Sequence, residues 1–180
     1  FYERTGDRPA MARIWERFVE RYPEPLDEAM AARLKLADLG RDMGDAGARN
    51  RWLREIIEAD RQAGGARTDL SRVMAARASL ELAAPLRVAF EAVPLNAPLK
   101  KSLQAKRDAM EKALVAYRTA ADYGVAEVAT AATYAIAEMY RKLAVDLLAS
   151  ERPRNLGEEE QEQYALLLEE QAYPFEEEAI

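Results

Sequence analysis

The side chains in this sequence that could do chemistry are mainly carboxylates, because it contains no His and no Cys. Two runs of three glutamates, at residues 158–160 and 176–178, are the densest groups that could hold a hard cation such as Mg²⁺ or Ca²⁺. Consecutive residues of a helix point in different directions around its axis, so the carboxylates of each run diverge. There is also no aspartate-rich calcium loop. The sequence therefore predicts no metal site.

The absence of His and Cys also argues against whole classes of reaction. Proton transfer near neutral pH, nucleophilic catalysis and transition-metal binding mostly depend on these two side chains. A Ser-His-Asp triad and a zinc or di-iron site with histidine ligands are therefore excluded. Glycine-rich phosphate-binding motifs are missing as well. We expect a protein that is not an enzyme and that needs no cofactor.

Charge is unevenly distributed along the chain. One segment concentrates positive charge in a basic patch formed by Lys100, Lys101, Lys106, Arg107 and Lys112. After Arg154, in contrast, there are nine glutamates and no Lys or Arg. These segments could contact each other or bind oppositely charged partners, although such runs usually form solvated helix faces. The net charge of -6 and the sequence pI near 5.0 argue against nucleic acid as the partner.

Composition favours an all-α fold. Of the 180 residues, 49% are hydrophobic, which is enough for a substantial core, and only eight Gly and eight Pro interrupt a sequence rich in helix formers. The longest uncharged apolar stretch, residues 128–137, is about half of the roughly 20 residues that a membrane-spanning helix needs. We therefore expect no membrane insertion by this segment.

Apolar residues recur at spacings of three and four, which is typical of amphipathic helices. Turn residues divide this pattern into about seven helices. The predicted breaks lie at the loop Gly6–Asp7, at Pro23, Gly44–Asp45, Gly64–Gly65, the turn 94–98, Tyr123–Gly124 and the loop 152–155. Thr68 or Asp69 suits a helix N-cap. Proline removes a backbone donor, so Pro85 predicts a kink, and Pro174 should bend or end the last helix.

Several segments resemble the repeat of tetratricopeptide (TPR) proteins, a helical hairpin of roughly 34 residues in which small residues sit where helices touch. The matching positions are Leu36, Ala37, Gly40 and Gly44; Gly6, Trp15, Phe18 and Pro23; Ile136, Ala137 and Tyr140; and Ala113, Tyr117 and Ala120. Gly40 departs from the repeat, which has an aromatic residue there. Residues 98–103, 121–127 and 168–177 resemble sequence segments of proteobacterial TPR proteins of the cell envelope, including gliding-motility-type ones.

The resemblance implies a right-handed superhelix of antiparallel hairpins, because a two-helix unit cannot bury its apolar face alone and must stack on its neighbours. The expectation is one TPR-like domain over residues 1–180. It would comprise TPR-like units at 1–65, an elongated hairpin at 66–124 and a C-terminal hairpin with a long last helix at 125–180. The chain starts without Met, so we interpret it as a piece of a longer protein. A periplasmic or outer-membrane-associated location is implied by the resemblance alone.

The resemblance also implies a binding groove lined by fixed positions of the first helix of each hairpin. In the best-matching unit these are Ala131, Tyr134, Glu138, Arg141 and Lys142. An aromatic ring beside two cations suits a peptide with an apolar side chain near a carboxylate. The alternative is that Tyr134 packs in the core and the two cations are merely solvated.

Three functions are compatible with these features. The first is a non-catalytic scaffold or adaptor that holds a peptide or helix of a partner protein in a bacterial envelope assembly. The second is a helical regulatory or substrate-presenting part of a larger enzyme whose active site lies outside this segment. The third is a structural, self-assembling array.

Overall fold

The computed structural model describes residues 7–153 and 156–179. This part of the chain has seven α-helices and no strand. The helices are α1 (Arg8–Arg21), α2 (Leu26–Asp42), α3 (Ala46–Gln62), α4 (Asp69–Glu91), α5 (Leu99–Ala121), α6 (Ala126–Leu148) and α7 (Glu158–Glu177). The predicted all-α class and the succession of helical hairpins are confirmed. The right-handed superhelix stays a prediction.

The helix boundaries follow from local turn chemistry. Asp45 accepts a hydrogen bond from the amide of Ala48 at 2.8 Å and so caps α3, and Thr68 Oγ1 accepts one from the amide of Ser71 at 2.9 Å and caps α4. Gly44 and Gly124 end α2 and α5 with φ of 72° and 68°, a conformation that residues with a Cβ rarely adopt. The breaks predicted at these glycines and the N-cap predicted at Thr68 are confirmed. The predicted break at Gly6 and the second half of the loop 152–155 lie outside the described residues.

Two prolines lie inside helices without ending them. Helix α4 continues through Pro85, and α7 continues through Pro174 to Glu177. Both prolines are solvent-exposed, so water can hydrate the carbonyl one turn earlier that loses its amide partner. The last helix therefore does not end at Pro174, whereas a bend there and a kink at Pro85 stay predictions.

The chain forms two compact units. The first unit comprises residues 1–82 and 122–128, and within it α1 packs on α2 and α2 packs on α3. Its core is a cluster of buried apolar side chains: Val19, Met30, Leu36, Ala37, Trp52, Leu53 and Ile56. The first half of α4 adds Ala75 and Ala78, and Trp15 packs against the cluster from α1. The tryptophans therefore contribute to the core.

At Gly40 the backbone of α2 lies close to the backbone at the start of α3. A Cβ placed on this residue would lie 2.8 Å from the amide nitrogen and 3.1 Å from the Cα of Arg49. Backbone atoms cannot move aside as a flexible side chain does, so only glycine fits. An aromatic side chain at this position would therefore clash with α3.

A buried carboxylate connects α3 to the start of α4 in the same unit. Asp60, on α3, is 2% exposed and accepts hydrogen bonds from Arg67 Nε at 3.0 Å and from Ser71 Oγ at 2.7 Å. Next to it, Thr68 Oγ1 donates to Asp27 Oδ1 at 2.6 Å, and the guanidinium of Arg67 lies 5.5 Å from the centre of the Tyr123 ring. These bonds join the end of α3 to the start of α4 and to α2.

The second unit comprises residues 83–121 and 129–180. Its buried side chains come from α4, α5, α6 and α7 and include Phe90, Met110, Leu114, Tyr117, Met139, Leu143, Leu147 and Leu168. Ala113 and Ala120 are fully buried, as expected for small residues at helix contacts. The predicted segments 1–65, 66–124 and 125–180 stay a prediction.

Candidate interaction surface

The five residues predicted to line a groove lie on the solvent side of α6. The opposite side of this helix is buried through Val128, Ala132, Ala135, Met139 and Leu143. Tyr134 is 66% exposed, Ala131 and Arg141 are exposed, and Glu138 and Lys142 are half-buried. We call this set the α6 face. The alternative that Tyr134 packs in the core is therefore wrong.

Ion pairs along the helix neutralise the cations of the α6 face. Arg141 donates from Nε to Glu138 Oε1 at 3.0 Å and from Nη2 to Oε2 at 2.7 Å. These two hydrogen bonds hold the pKa of Glu138 below its ordinary value and raise that of Arg141. Lys142 pairs with Asp146 in the same way. The predicted cationic pair is thus already matched by acidic residues, so the face is nearly neutral.

Helix α4 adds a charged pair that the sequence analysis did not include. Arg87 Nε donates to Glu91 Oε1 at 2.7 Å, and the charge of Arg87 also contributes to lowering the pKa of Glu138 on α6. Burial raises the pKa of the Tyr117 phenol, which lies close enough to interact with the charges of Arg87 and Glu91. The sequence signal for this pair was the spacing of four between opposite charges on one helix.

Uncharged side chains dominate the exposed surface of the same helices. On α6 the exposed residues around Tyr134 are Thr130, Ala131 and Thr133. On α4, within the same unit, Val88 is 64% exposed and its neighbour Ala89 is also exposed. Small and apolar side chains therefore make up much of the exposed surface of α6 and of the second half of α4.

Four of the five residues of the predicted basic patch are at the surface of α5: Lys100, Lys101, Arg107 and Lys112. Lys100 and Lys101 line a shallow depression of about 640 Å³, and the guanidinium of Arg107 lies 5.4 Å from the centre of the Phe175 ring. Lys106, however, is only 1% exposed. Its inclusion in a surface patch is therefore wrong, because it occupies the buried side of an amphipathic helix.

The ammonium of Lys106 has a complete set of acceptors in the interior of the second unit. Its Nζ donates to the carbonyl of Phe90 at 3.3 Å, to that of Val93 at 2.7 Å and to Asp146 Oδ2 at 2.8 Å. An ammonium has three N–H donors, so all of them are used. Two acceptors are carbonyls at the C-terminal end of α4, where a positive charge is favourable.

Asp146 is shared between two lysines. Burial by itself raises its pKa, but the hydrogen bonds and charges of Lys106 and Lys142 together outweigh burial and hold the pKa below its ordinary value. The aspartate therefore stays ionised at neutral pH and links α6 to the buried lysine of α5. This arrangement is structural, because the ammonium of Lys106 has no N–H left for a ligand and the carboxylate is held by two cations.

Among residues 7–153 and 156–179, no three acidic side chains are grouped so that they could hold a metal ion. In the same residues, no helix combines the length and hydropathy that crossing a bilayer requires.

No protein-family model matches the chain, and no characterised protein or solved structure is significantly similar to it. The likeness to TPR proteins thus rests on the residues quoted from the sequence.

Proposed function

We propose that this protein is a non-catalytic scaffold whose α6 face binds a peptide or a helix of a partner protein. The observation that carries the proposal is the exposure of Tyr134. About two thirds of this side chain is accessible to solvent, and its neighbours in the sequence are uncharged. A tyrosine offers a large, rigid contact surface at a small cost in conformational entropy, which is why it is frequent at binding hot spots.

The ion pairs indicate what kind of segment would bind. Arg141 and Lys142 already have acidic partners on α6, so an anionic ligand would have to displace them. A segment with an apolar side chain over Tyr134 and a polar group near the Glu138–Arg141 pair needs no such displacement. We therefore infer that an apolar anchor, more than a carboxylate, supplies the affinity.

The setting we propose is a bacterial envelope assembly, in the periplasm or at the outer membrane. It is supported only by the resemblance of residues 98–103, 121–127 and 168–177 to TPR proteins of that compartment.

The test is selection of peptides that bind the protein from a random library, followed by affinity measurement with variants. Tyr134→Ala should weaken binding of the selected peptides by about tenfold or more, which corresponds to about 1.4 kcal/mol. Arg141→Ala should weaken it less. Both melting temperatures should stay near that of the unsubstituted protein, because both side chains are exposed.

Tyr173→Ala is the matched control, because Tyr173 is a tyrosine of similar exposure, 58%, on α7. It should leave peptide affinity unchanged. If Tyr134→Ala binds the peptides as tightly as the unsubstituted protein, or if only Tyr173→Ala weakens binding, the α6 face is not the binding surface.

A further inference from the structure

We propose that the protein self-associates head to tail, with α1 of one copy packed on the outer face of α7 of the next. This contact uses residues that are not part of the α6 face, so it can be tested independently of the proposed peptide binding.

The outer face of α7 is an apolar strip between carboxylates. Leu166 and Tyr173 are 61% and 58% exposed and lie seven residues apart, so they project from the same side of the helix. Exposed glutamates flank this strip on both sides: Glu162, Glu169, Glu170 and Glu177. The packed side of α7 is the opposite one, where Leu168 and Ala172 are buried. We call Leu166, Tyr173 and the four flanking glutamates the acidic face.

Helix α7 contains no cation at all between Glu158 and Glu177. Neighbouring carboxylates at spacings of three and four repel each other, and nothing on α7 itself offsets that repulsion. An apolar strip with this surround is suited to a helix whose own apolar residue is flanked by positive charges.

Helix α1 has a complementary excess of positive charge, because its exposed charged residues are four arginines and one glutamate, Glu20. Arg13, Arg17 and Arg21 follow one another at spacings of four and are exposed, and Ile14, 47% exposed, lies beside them. We call these four residues the basic stripe. Arg13 and Arg17 are solvent-exposed, so a partner can reach their guanidinium groups. The one chain thus carries both halves of a helix-to-helix contact.

The two faces differ, so the contact is heterologous: each copy offers its basic stripe to one neighbour and its acidic face to another. A single helix pair is small compared with a standard protein–protein interface, which predicts weak association. Its flanking charges are solvent-exposed, which predicts that salt weakens it further.

The experiment is analytical ultracentrifugation of the whole chain over a wide concentration range at low and at high salt. The mean mass should rise with concentration at low salt and rise less at high salt. Arg13→Glu/Arg17→Glu should abolish the rise, because two acidic helices then face each other. Glu162→Lys/Glu169→Lys should abolish it for the converse reason.

Mixing these two variants is the decisive step. In the mixture, the acidic α1 of the first variant can pair with the basic α7 of the second, and the unchanged α7 of the first can pair with the unchanged α1 of the second. An equimolar mixture should therefore recover the association that neither variant shows alone. Arg118→Glu, an exposed reversal on α5, is the control and should associate like the unsubstituted protein. Circular dichroism and thermal melting check that every variant is folded.

Several results would overturn the proposal. The unsubstituted protein could stay monomeric at all concentrations, either double variant could associate as strongly as the original, or the mixture could fail to regain association. Leu166→Ser/Tyr173→Ser, which leaves every charge in place, should also reduce association; an unchanged mass would assign the contact to another surface. A monomer whose acidic face captures a basic amphipathic peptide would likewise replace self-association with binding to a different protein.

Discussion

The ammonium of Lys106 lies 2.8 Å from Oδ2 of Asp146, although only 1% of the lysine side chain is exposed. The pair joins α5 to α6, and the same ammonium donates to the carbonyls of Phe90, near the end of α4, and of Val93, just after it. Three helices of the second unit therefore depend on one side chain.

Replacing Lys106 with Met keeps most of its volume and removes its charge. We expect a loss of about 2–4 kcal/mol in the free energy of unfolding, because the carbonyls of Phe90 and Val93 lose a buried donor and Asp146 keeps only Lys142. Urea denaturation measures the difference. Lys112→Met, at an exposed position of the same helix, is the control and should change stability by no more than about 0.5 kcal/mol. Equal effects of the two substitutions would contradict the structural role of Lys106.

The lowered pKa of Asp146 predicts acid sensitivity. Between the folded pKa and the unfolded value of about 4, the folded protein binds fewer protons at this site than the unfolded chain, so stability rises with pH there. The contribution is complete above the unfolded pKa and is lost as the pH falls through the folded pKa.

The comparison that tests this is urea denaturation of Asp146→Asn and of the unsubstituted protein from pH 7 down to the acid range. The substitution should cost stability at neutral pH, and the difference between the two proteins should shrink below about pH 4. A difference that stays constant across that range would show that the charge of Asp146 is not what stabilises the unit.

Gly40→Ala tests the close contact of α2 and α3. Alanine favours a helix interior by about 1 kcal/mol over glycine, but its Cβ would lie 2.8 Å from the amide nitrogen of Arg49, and overpacking of this kind costs about 1–3 kcal/mol. Because the obstacle is backbone, we expect net destabilisation, seen as a lower melting temperature. Gly65→Ala is the control, since a Cβ there meets nothing within 4 Å. A more stable Gly40→Ala protein would refute the contact.

Asp60→Ala tests the buried carboxylate of the first unit. The substitution leaves Arg67 and Ser71 without their acceptor, and we expect a loss of about 2–3 kcal/mol in the free energy of unfolding, since hydrogen bonds to charged groups are the stronger class. Asp38→Ala removes the exposed pair with Arg41 instead and should cost less than about 1 kcal/mol. Similar losses from both would mean that burial of Asp60 adds nothing.

The helices were predictable because their signals are local. Apolar spacing, the glycines at 44 and 124 and the cap at Thr68 act within a few residues of chain, so a single sequence contains them. The side chain of Tyr134 was harder to place, since the pattern alone allowed either a core or a surface position. Its exposure depends on which side of α6 the rest of the second unit covers.

Contacts between distant residues could not be predicted in this way. Lys106 is a charged residue in the apolar stripe of α5, but no residue near it in the sequence indicates that Asp146 is its partner. In the same way, the charge of Arg87 acts on Glu138, about fifty residues away. The need for glycine at position 40 comes from the backbone of Arg49, which lies beside it only in the folded protein. Each of these relationships exists only once helices pack.

The enclosure of Lys106 has a practical consequence for studying the protein. The other lysines, at positions 35, 100, 101, 112 and 142, are all at least partly accessible to solvent. An amine-acylating reagent should therefore modify those five in the folded state and reach Lys106 only when the second unit opens. The extent of labelling at this one position, read by peptide mass, then reports how often that unit opens and needs no introduced probe.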